Sequence, residues 1–388
     1  MTAPAAAPLP PDEHEAVRGL LGAWALDACP PDETALLEDH LTGCAPCATE
    51  AARLRDAAGW LSADEPLDPV PELRSQVLEG CLGRRVPDVR VPGWASPYAA
   101  ETAKLDALLR DLGPSEWLER AEVPWHGGTE WWLPAEVLCH LAAVDGFVGR
   151  AYGMDDLIPG GDAAPEPEPE PDRPWAAVSD RTERLISAHG RRAPEAVRAL
   201  WREQTRALVR AAALAGPDGG GVAVDYGDVR IPARDAFVDR AFECWIHADD
   251  VARAVDYPYE PPSARHLRQM IDLAARMLPA ALDGLRGGPH GGAEAGAEAA
   301  NGRPRVVKLV IEGPAAGEWL IPLGAAEPPA DAGPPPDSEP VASLAVDGLE
   351  FCYLAAAHRD PDRMAVGQHG DSAAVREVLH AAPLLSRP

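Results

Sequence analysis

Arg240-Ala-Phe-Glu-Cys-Trp-Ile-His-Ala-Asp-Asp250 is the stretch on which the fold turns. Glu243 and His247 stand four residues apart, so on a helix they share one face and can converge on one ion. Phe242, Trp245 and Ile246 flank them and make the helix largely buried, where polar groups need partners. A third ligand is at hand in Trp131-Trp-Leu-Pro-Ala-Glu-Val-Leu-Cys-His140, on a helix that Pro134 can open. Two histidines and one glutamate with a free fourth position suit a catalytic zinc or another divalent metal.

Outward from these two helices the apolar period stays helical. Leu105, Leu108, Leu109 and Leu112 form one stripe within residues 97–113. A long helical stretch is predicted over 175–214, a hairpin over Val222–Ile231, and further helix over 234–255 and 262–285. Together these make a helical bundle of residues 96–285. Pro159–Pro174 holds Pro-Glu repeats that cannot pack a core. After a Gly/Ala-rich linker at 286–303 the period changes. Val306–Glu312 and Trp319–Pro322 read as strands, followed by helices near 346–357 and 373–382, giving a small α/β domain over 304–388.

Toward the N-terminus, residues 1–62 read as a separate module of short helices. Val17, Leu20, Leu21 and Trp24 set the first, Pro30-Pro31 breaks it, and Leu36, Leu37 and Leu41 set a second that Gly43 ends. A third runs from about Pro46 to Leu61, and residues 63–95 form a tether with one helix expected at Glu72–Leu82. His40-Leu-Thr-Gly-Cys44-Ala-Pro-Cys47 carries the chemistry of this module. Two cysteines separated by two residues reach one tetrahedral ion, and a histidine four residues earlier supplies a third ligand. His14 is the preferred fourth ligand, with Cys29 the alternative. Cys29 is also a candidate disulfide partner for Cys44 or Cys47 on oxidation.

The formal net charge of the 388 residues is −27, which argues against direct nucleic-acid or anionic-membrane binding and permits a basic protein partner. Seven cysteines spread over this length do not form a secreted disulfide framework. With no signal peptide or spanning segment in the sequence, a cytoplasmic location is expected.

His14, the run Leu-Leu-Gly-Ala-Trp-Ala-Leu and Glu38-Asp-His40-Leu-x-x-Cys44-x-x-Cys47 resemble the zinc-binding anti-sigma domain. That resemblance implies His14, His40, Cys44 and Cys47 as zinc ligands and an extracytoplasmic-function sigma factor as partner. Residues 12–62 carry ten acids against three arginines, a formal charge of −7 that can complement a basic protein surface.

The Trp/His-Leu helix and the Glu-x-x-x-His-x-x-Asp helix resemble the mycothiol-dependent maleylpyruvate isomerase family, a branch of the DinB-like four-helix bundles. The resemblance implies His140, Glu243 and His247 as metal ligands and the low-molecular-weight thiol mycothiol as a cofactor. Phe351-Cys-Tyr-Leu-Ala-Ala-Ala, Pro361-Asp-Arg-Met and Gly370-Asp371 resemble the appended C-terminal domain of that family. Arg359 and Arg363 are the candidates for holding the thiol's polar groups.

The chain is therefore expected to be mainly α: a small zinc-binding helical module, a DinB-like four-helix bundle, and a small α/β C-terminal domain. Two functions compete. One is an anti-sigma-factor-like transcriptional regulator whose isomerase-like domain senses a thiol or metal. The other is a mycothiol-dependent isomerase or S-transferase whose zinc module is structural. Leu21, Trp24 and Leu37 are expected to serve a partner interface, with Glu38 and Asp39 steering it.

Overall fold

The computed structural model describes residues 10–61, 90–158, 176–227, 229–287, 305–324 and 339–386, with the single positions 73 and 77. Most of the expected helix Glu72–Leu82, the Pro-Glu segment and residues 288–303 lie outside the described residues. The chain divides into two compact units, Met1–Asp88 and Val89–Pro388. Both are mainly helical, and a small sheet lies near the C-terminus.

The first unit contains α1 (Pro11–Gly19), α2 (Leu21–Ala25), α3 (Pro31–Gly43) and α4 (Ala45–Leu61). Pro31 opens α3, whose missing N–H costs nothing in the first turn, and Asp32 and Glu33 follow it there. Cys44 leaves the helix with extended backbone (φ −122°, ψ 95°), which separates α3 from α4. The first apolar run, predicted as one helix, is two, joined at Leu20. Val17, Leu21, Leu37 and Ala51 form the contiguous buried cluster, and Ala25, Cys47 and Ala58 are buried as well. Leu21 and Leu37 are thus interior residues, not interface residues as expected. The indole N–H of Trp24 donates to Glu38, and the Arg55 guanidinium lies 4.1 Å from its ring centre.

In the second unit, α5 (Ser96–Asp111), α6 (Pro134–Ala151), α8 (Pro194–Ala215) and α9 (Ala233–Ala254) pack together, with α7 (Ala176–His189) against α6. The long stretch predicted over 175–214 is the pair α7 and α8. The chain turns between them because Pro194 can open a helix but not continue one. Two antiparallel hairpins, β1 (Ala121–Trp125) with β2 (Gly128–Trp132) and β3 (Ala223–Asp225) with β4 (Arg230–Pro232), precede α6 and α9. The first was not predicted, since Trp131 and much of its second strand face water and show no buried alternation.

After α10 (Ala264–Gly287) comes a four-stranded sheet of order β6-β5-β7-β8, built from β5 (Val306–Glu312), β6 (Gly317–Pro322), β7 (Ala342–Asp347) and β8 (Gly367–Gly370). β5 and β7 run parallel, with Val307 opposite Ala342 and Ile311 opposite Val346. Asp347 caps α11 (Gly348–Ala355) and Asp371 caps α12 (Ser372–Ala381), each accepting two backbone N–H bonds. One apolar core runs from Phe147, Phe237 and Trp245 through Leu278 to Leu344 and Phe351. The bundle and the C-terminal sheet are thus a single packed body.

Deep in the bundle, Arg240 Nε donates to Asp145 Oδ1 at 3.0 Å, both side chains 2% exposed. Tyr98 Oη donates to the other oxygen of Asp145 at 2.6 Å. Burial opposes the charge on Arg240, but Asp145, Glu243 and Asp239 around it hold the charge in place. Removing one member leaves the other buried and uncompensated. Asp145→Ala is expected to lower the urea-unfolding free energy by ~3–5 kcal/mol, and Asp145→Leu with Arg240→Met to recover most of that loss. Equal stability of Asp145→Ala and the parent would show that the pair does not hold the bundle.

Candidate metal centres

In the first unit, α1 supplies His14, α3 supplies His40, the junction after α3 supplies Cys44, and the first turn of α4 supplies Cys47. One ligand atom from each lies within 4.8 Å of the other three. His14 Nε2 stands 3.5 Å from Cys44 Sγ and 3.4 Å from Cys47 Sγ. With Zn–S of about 2.3 Å and Zn–N of about 2.0 Å, a tetrahedral ion sets S···N edges of about 3.5 Å. The rings of His14 and His40 meet edge to face with centres 5.2 Å apart. His40 Nε2 is buried without a hydrogen-bond partner among the described residues, which a metal bond would satisfy.

The two thiols differ. The Cys47 backbone N–H, and then His14, pull the Cys44 thiol below its usual range. Burial, and then its contact with Cys44, push the Cys47 thiol up. A cation between them would favour both thiolates. Cys29, the alternative fourth ligand, lies outside this group, with its Sγ 3.7 Å from the Leu20 carbonyl oxygen.

The second group joins His140 of α6 to Glu243 and His247 of α9, again with ligand atoms within 4.8 Å of one another. His247 Nε2 is 3.2 Å from Glu243 Oε2, close to the N···O edge of about 3.3 Å around a tetrahedral ion. The rings of His140 and His247 are perpendicular, with centres 5.1 Å apart. Each histidine turns its Nδ1 to a support: His140 to Thr182 Oγ1 at 3.1 Å, and His247 to Asp250 Oδ2 at 3.3 Å. That leaves Nε2 of each ring as the ligand atom. Trp132 lies against His140 with ring centres 5.0 Å apart. All three ligand residues are buried. Burial opposes protonation of His247, but hydrogen bonds to Asp250 and Glu243 favour it and push its pKa up to about 9.

A second carboxylate, Asp250, is 2% exposed. Burial would raise its pKa, yet hydrogen bonds from His247 and His358 hold it below the usual range. Spacing on α9 made Asp250 visible in the sequence. His358 arrives from the C-terminal region, and no sequence signal joins it to α9. Arg359 does not stand free for a ligand: it makes two bonds to Glu350, at 2.7 and 3.1 Å, and stacks over Tyr353. Arg363 pairs with Asp360 at 3.4 Å on the surface.

Two metal equivalents per chain are expected. His247→Ala should remove about one equivalent and leave the thiolate site loaded. A strong chelator should melt α1–α4, whose core is too small to stand alone, and spare the helicity of the large unit. Unchanged metal content in His247→Ala would count against the second centre.

Residues 15–48 match the family model described as putative zinc-finger, and residues 98–252 match that of the mycothiol maleylpyruvate isomerase N-terminal domain. No curated protein matches the chain significantly. Among solved structures, the crystal structure of the mycothiol-dependent maleylpyruvate isomerase is similar, with 16% identity and a TM-score of 0.41 over 71% of this chain and 91% of that one. A histidine-to-alanine mutant of that enzyme gives 14% identity and a TM-score of 0.39 over the same shares. The chain thus joins, in this order, a segment similar to the putative zinc-finger family and a segment similar to the N-terminal domain of mycothiol maleylpyruvate isomerases.

Proposed function

We propose that this protein is an anti-sigma-factor-like regulator. In this reading His14, His40, Cys44 and Cys47 hold a structural zinc, and His140, Glu243 and His247 hold a second divalent ion in a domain that senses a low-molecular-weight thiol. The observation that carries it is the pairing of two different ligand sets on one chain. Four ligands including two cysteines complete a tetrahedral ion and leave no room for substrate. Two histidines and a glutamate leave at least one position open. A divalent ion at such a place lowers the pKa of a coordinating thiol enough to bind it as thiolate near neutral pH. Around it, Asp250 and Thr182 orient the two rings, and Trp132 lies over His140.

The small unit supports a partner-binding role by its surface. Leu26, Leu36, Trp60 and Leu61 are exposed on a module with a small buried apolar cluster. Exposed apolar side chains in such number on so small a body suit a protein interface. Acidic residues around them, with Glu38 and Asp39 on the exposed side of α3, would steer a basic partner such as a sigma factor.

The alternative is a mycothiol-dependent isomerase or S-transferase whose zinc module is structural. Full burial of the three-ligand group favours it, because a dry site strengthens the electrostatics on which such chemistry draws. Among the described residues no helix is long and apolar enough to cross a membrane.

Pull-down of the zinc-loaded protein against each sigma factor of its host distinguishes the readings. Capture of one, weakened by salt and changed by added thiol or by His140→Ala, supports the regulator. Glu38→Lys with Asp39→Lys should then slow association more than it speeds dissociation. Capture of none, with turnover of a thiol and an electrophile, would establish the enzyme instead.

A further inference from the structure

His358 lies where the C-terminal region meets the second centre. It follows α11 in a turn where His358 N–H donates to Tyr353 O at 2.8 Å and Ala357 N–H to Leu354 O at 2.9 Å. This double bond pattern ends a helix with one residue in the left-handed region, a place that glycine usually takes. Here it is Ala357, at φ 59°. The unfavourable backbone is kept, and its effect is to turn the next side chain toward α9. His358 Nε2 stands 2.7 Å from Asp250 Oδ1, and its Nδ1 stands 2.7 Å from the Ala356 carbonyl oxygen. The ring thus bridges a carboxylate oxygen of α9 and a backbone carbonyl oxygen of its own turn. Its side chain is 3% exposed.

The end of α11 is fixed to α9 independently. Tyr353 Oη donates to Asp249 Oδ2 at 3.1 Å, and the Tyr353 ring packs on Trp245 with centres 5.8 Å apart. The turn is therefore held on the metal-bearing helix by neighbouring side chains as well as by His358.

We infer that His358 is a positioning residue of the His140–Glu243–His247 centre, acting through Asp250 to hold the His247 ring with Nε2 toward the ion. The inference rests on the proposed second metal site. One oxygen of Asp250 is occupied by His358, which leaves the other for His247 Nδ1. With Nδ1 donating there, the Nε2 lone pair is the free one. Without His358, Asp250 is free to rotate, and the His247 ring loses the oxygen that orients it. The C-terminal region is then part of the centre and not an appendage to it.

The test is zinc affinity of the second site in the full-length protein, by competition with chelators of graded strength. Asp250→Asn, His358→Ala and His358→Gln are compared with the parent and with His247→Ala. Loss of a supporting partner typically weakens metal binding by ~10–100-fold. His358→Ala is expected to weaken it by about tenfold and Asp250→Asn by at least as much. His358→Gln, which can donate to Asp250 alone, should recover part of the loss. Thermal midpoints of the metal-free proteins separate this from general damage. If His358→Ala does not fold, the volume-keeping His358→Gln decides, and its affinity should then fall between parent and Asp250→Asn. Parent-like affinity in the folded His358 variants, with the site lost in His247→Ala, overturns the inference alone. Retention of the metal in His247→Ala overturns the second metal site, and the inference with it.

Discussion

A charge or a ring nitrogen taken out of water must find a partner, and α9 takes six ionisable side chains out at once. Asp239, Arg240, Glu243, His247, Asp249 and Asp250 are all buried along it. Their compensation organises the large unit. α6 sends Asp145 to Arg240, with Tyr98 of α5 donating to the other oxygen of Asp145, α6 sends His140 to the Glu243–His247 pair, and the end of α11 sends Tyr353 and His358 to Asp249 and Asp250. Each contact comes from a different part of the chain, so the bundle and the C-terminal sheet close around this helix together. Uncompensated, each of these buried groups would carry a large desolvation cost. The place left by His140, Glu243 and His247 fits a cation for the same reason.

The small unit meets a different shortage. Among the described residues its contiguous buried cluster is Val17, Leu21, Leu37 and Ala51, and a fragment with so small a core needs a further tie. His14, His40, Cys44 and Cys47 draw α1, α3 and the start of α4 to one point. The same point sets how α3 gives way to α4, since Cys44 is the residue that leaves the helix. Side chains that a larger core would absorb, such as Trp60 and Leu61, stay on the surface. In the proposed reading, a metal at this point would substitute for packing and leave that apolar surface for a partner.

Part of each candidate group was legible from sequence because two members lie at a short, chemically meaningful spacing, Cys44 to Cys47 and Glu243 to His247, and the structure brings His14 and His140 to them. Helix type followed from the apolar period, as in Leu105, Leu108 and Leu112. What stayed hidden depended on contacts between distant segments. Leu21 and Leu37 look the same in sequence whether they face a core or a partner, and only packing placed them inside. In the β1–β2 hairpin only Ala121 and Val123 of β1 alternate with an exposed residue, and β2 shows no alternation to detect. His358 could not be found at all, since its link to Asp250 crosses 108 positions and depends on the left-handed turn at Ala357.

X-ray absorption at the zinc edge of the full-length, zinc-loaded protein tests the central claim most directly, because it reads ligand chemistry without assuming function. Two centres, one with two thiolates and one with none, predict an average of about one sulfur per zinc at about 2.3 Å with nitrogen and oxygen at about 2.0–2.1 Å. In His247→Ala the average should rise to about two sulfurs per zinc, as the thiolate site alone remains. A sulfur-free shell, or a sulfur count that His247→Ala leaves unchanged, would contradict the account of two separate centres.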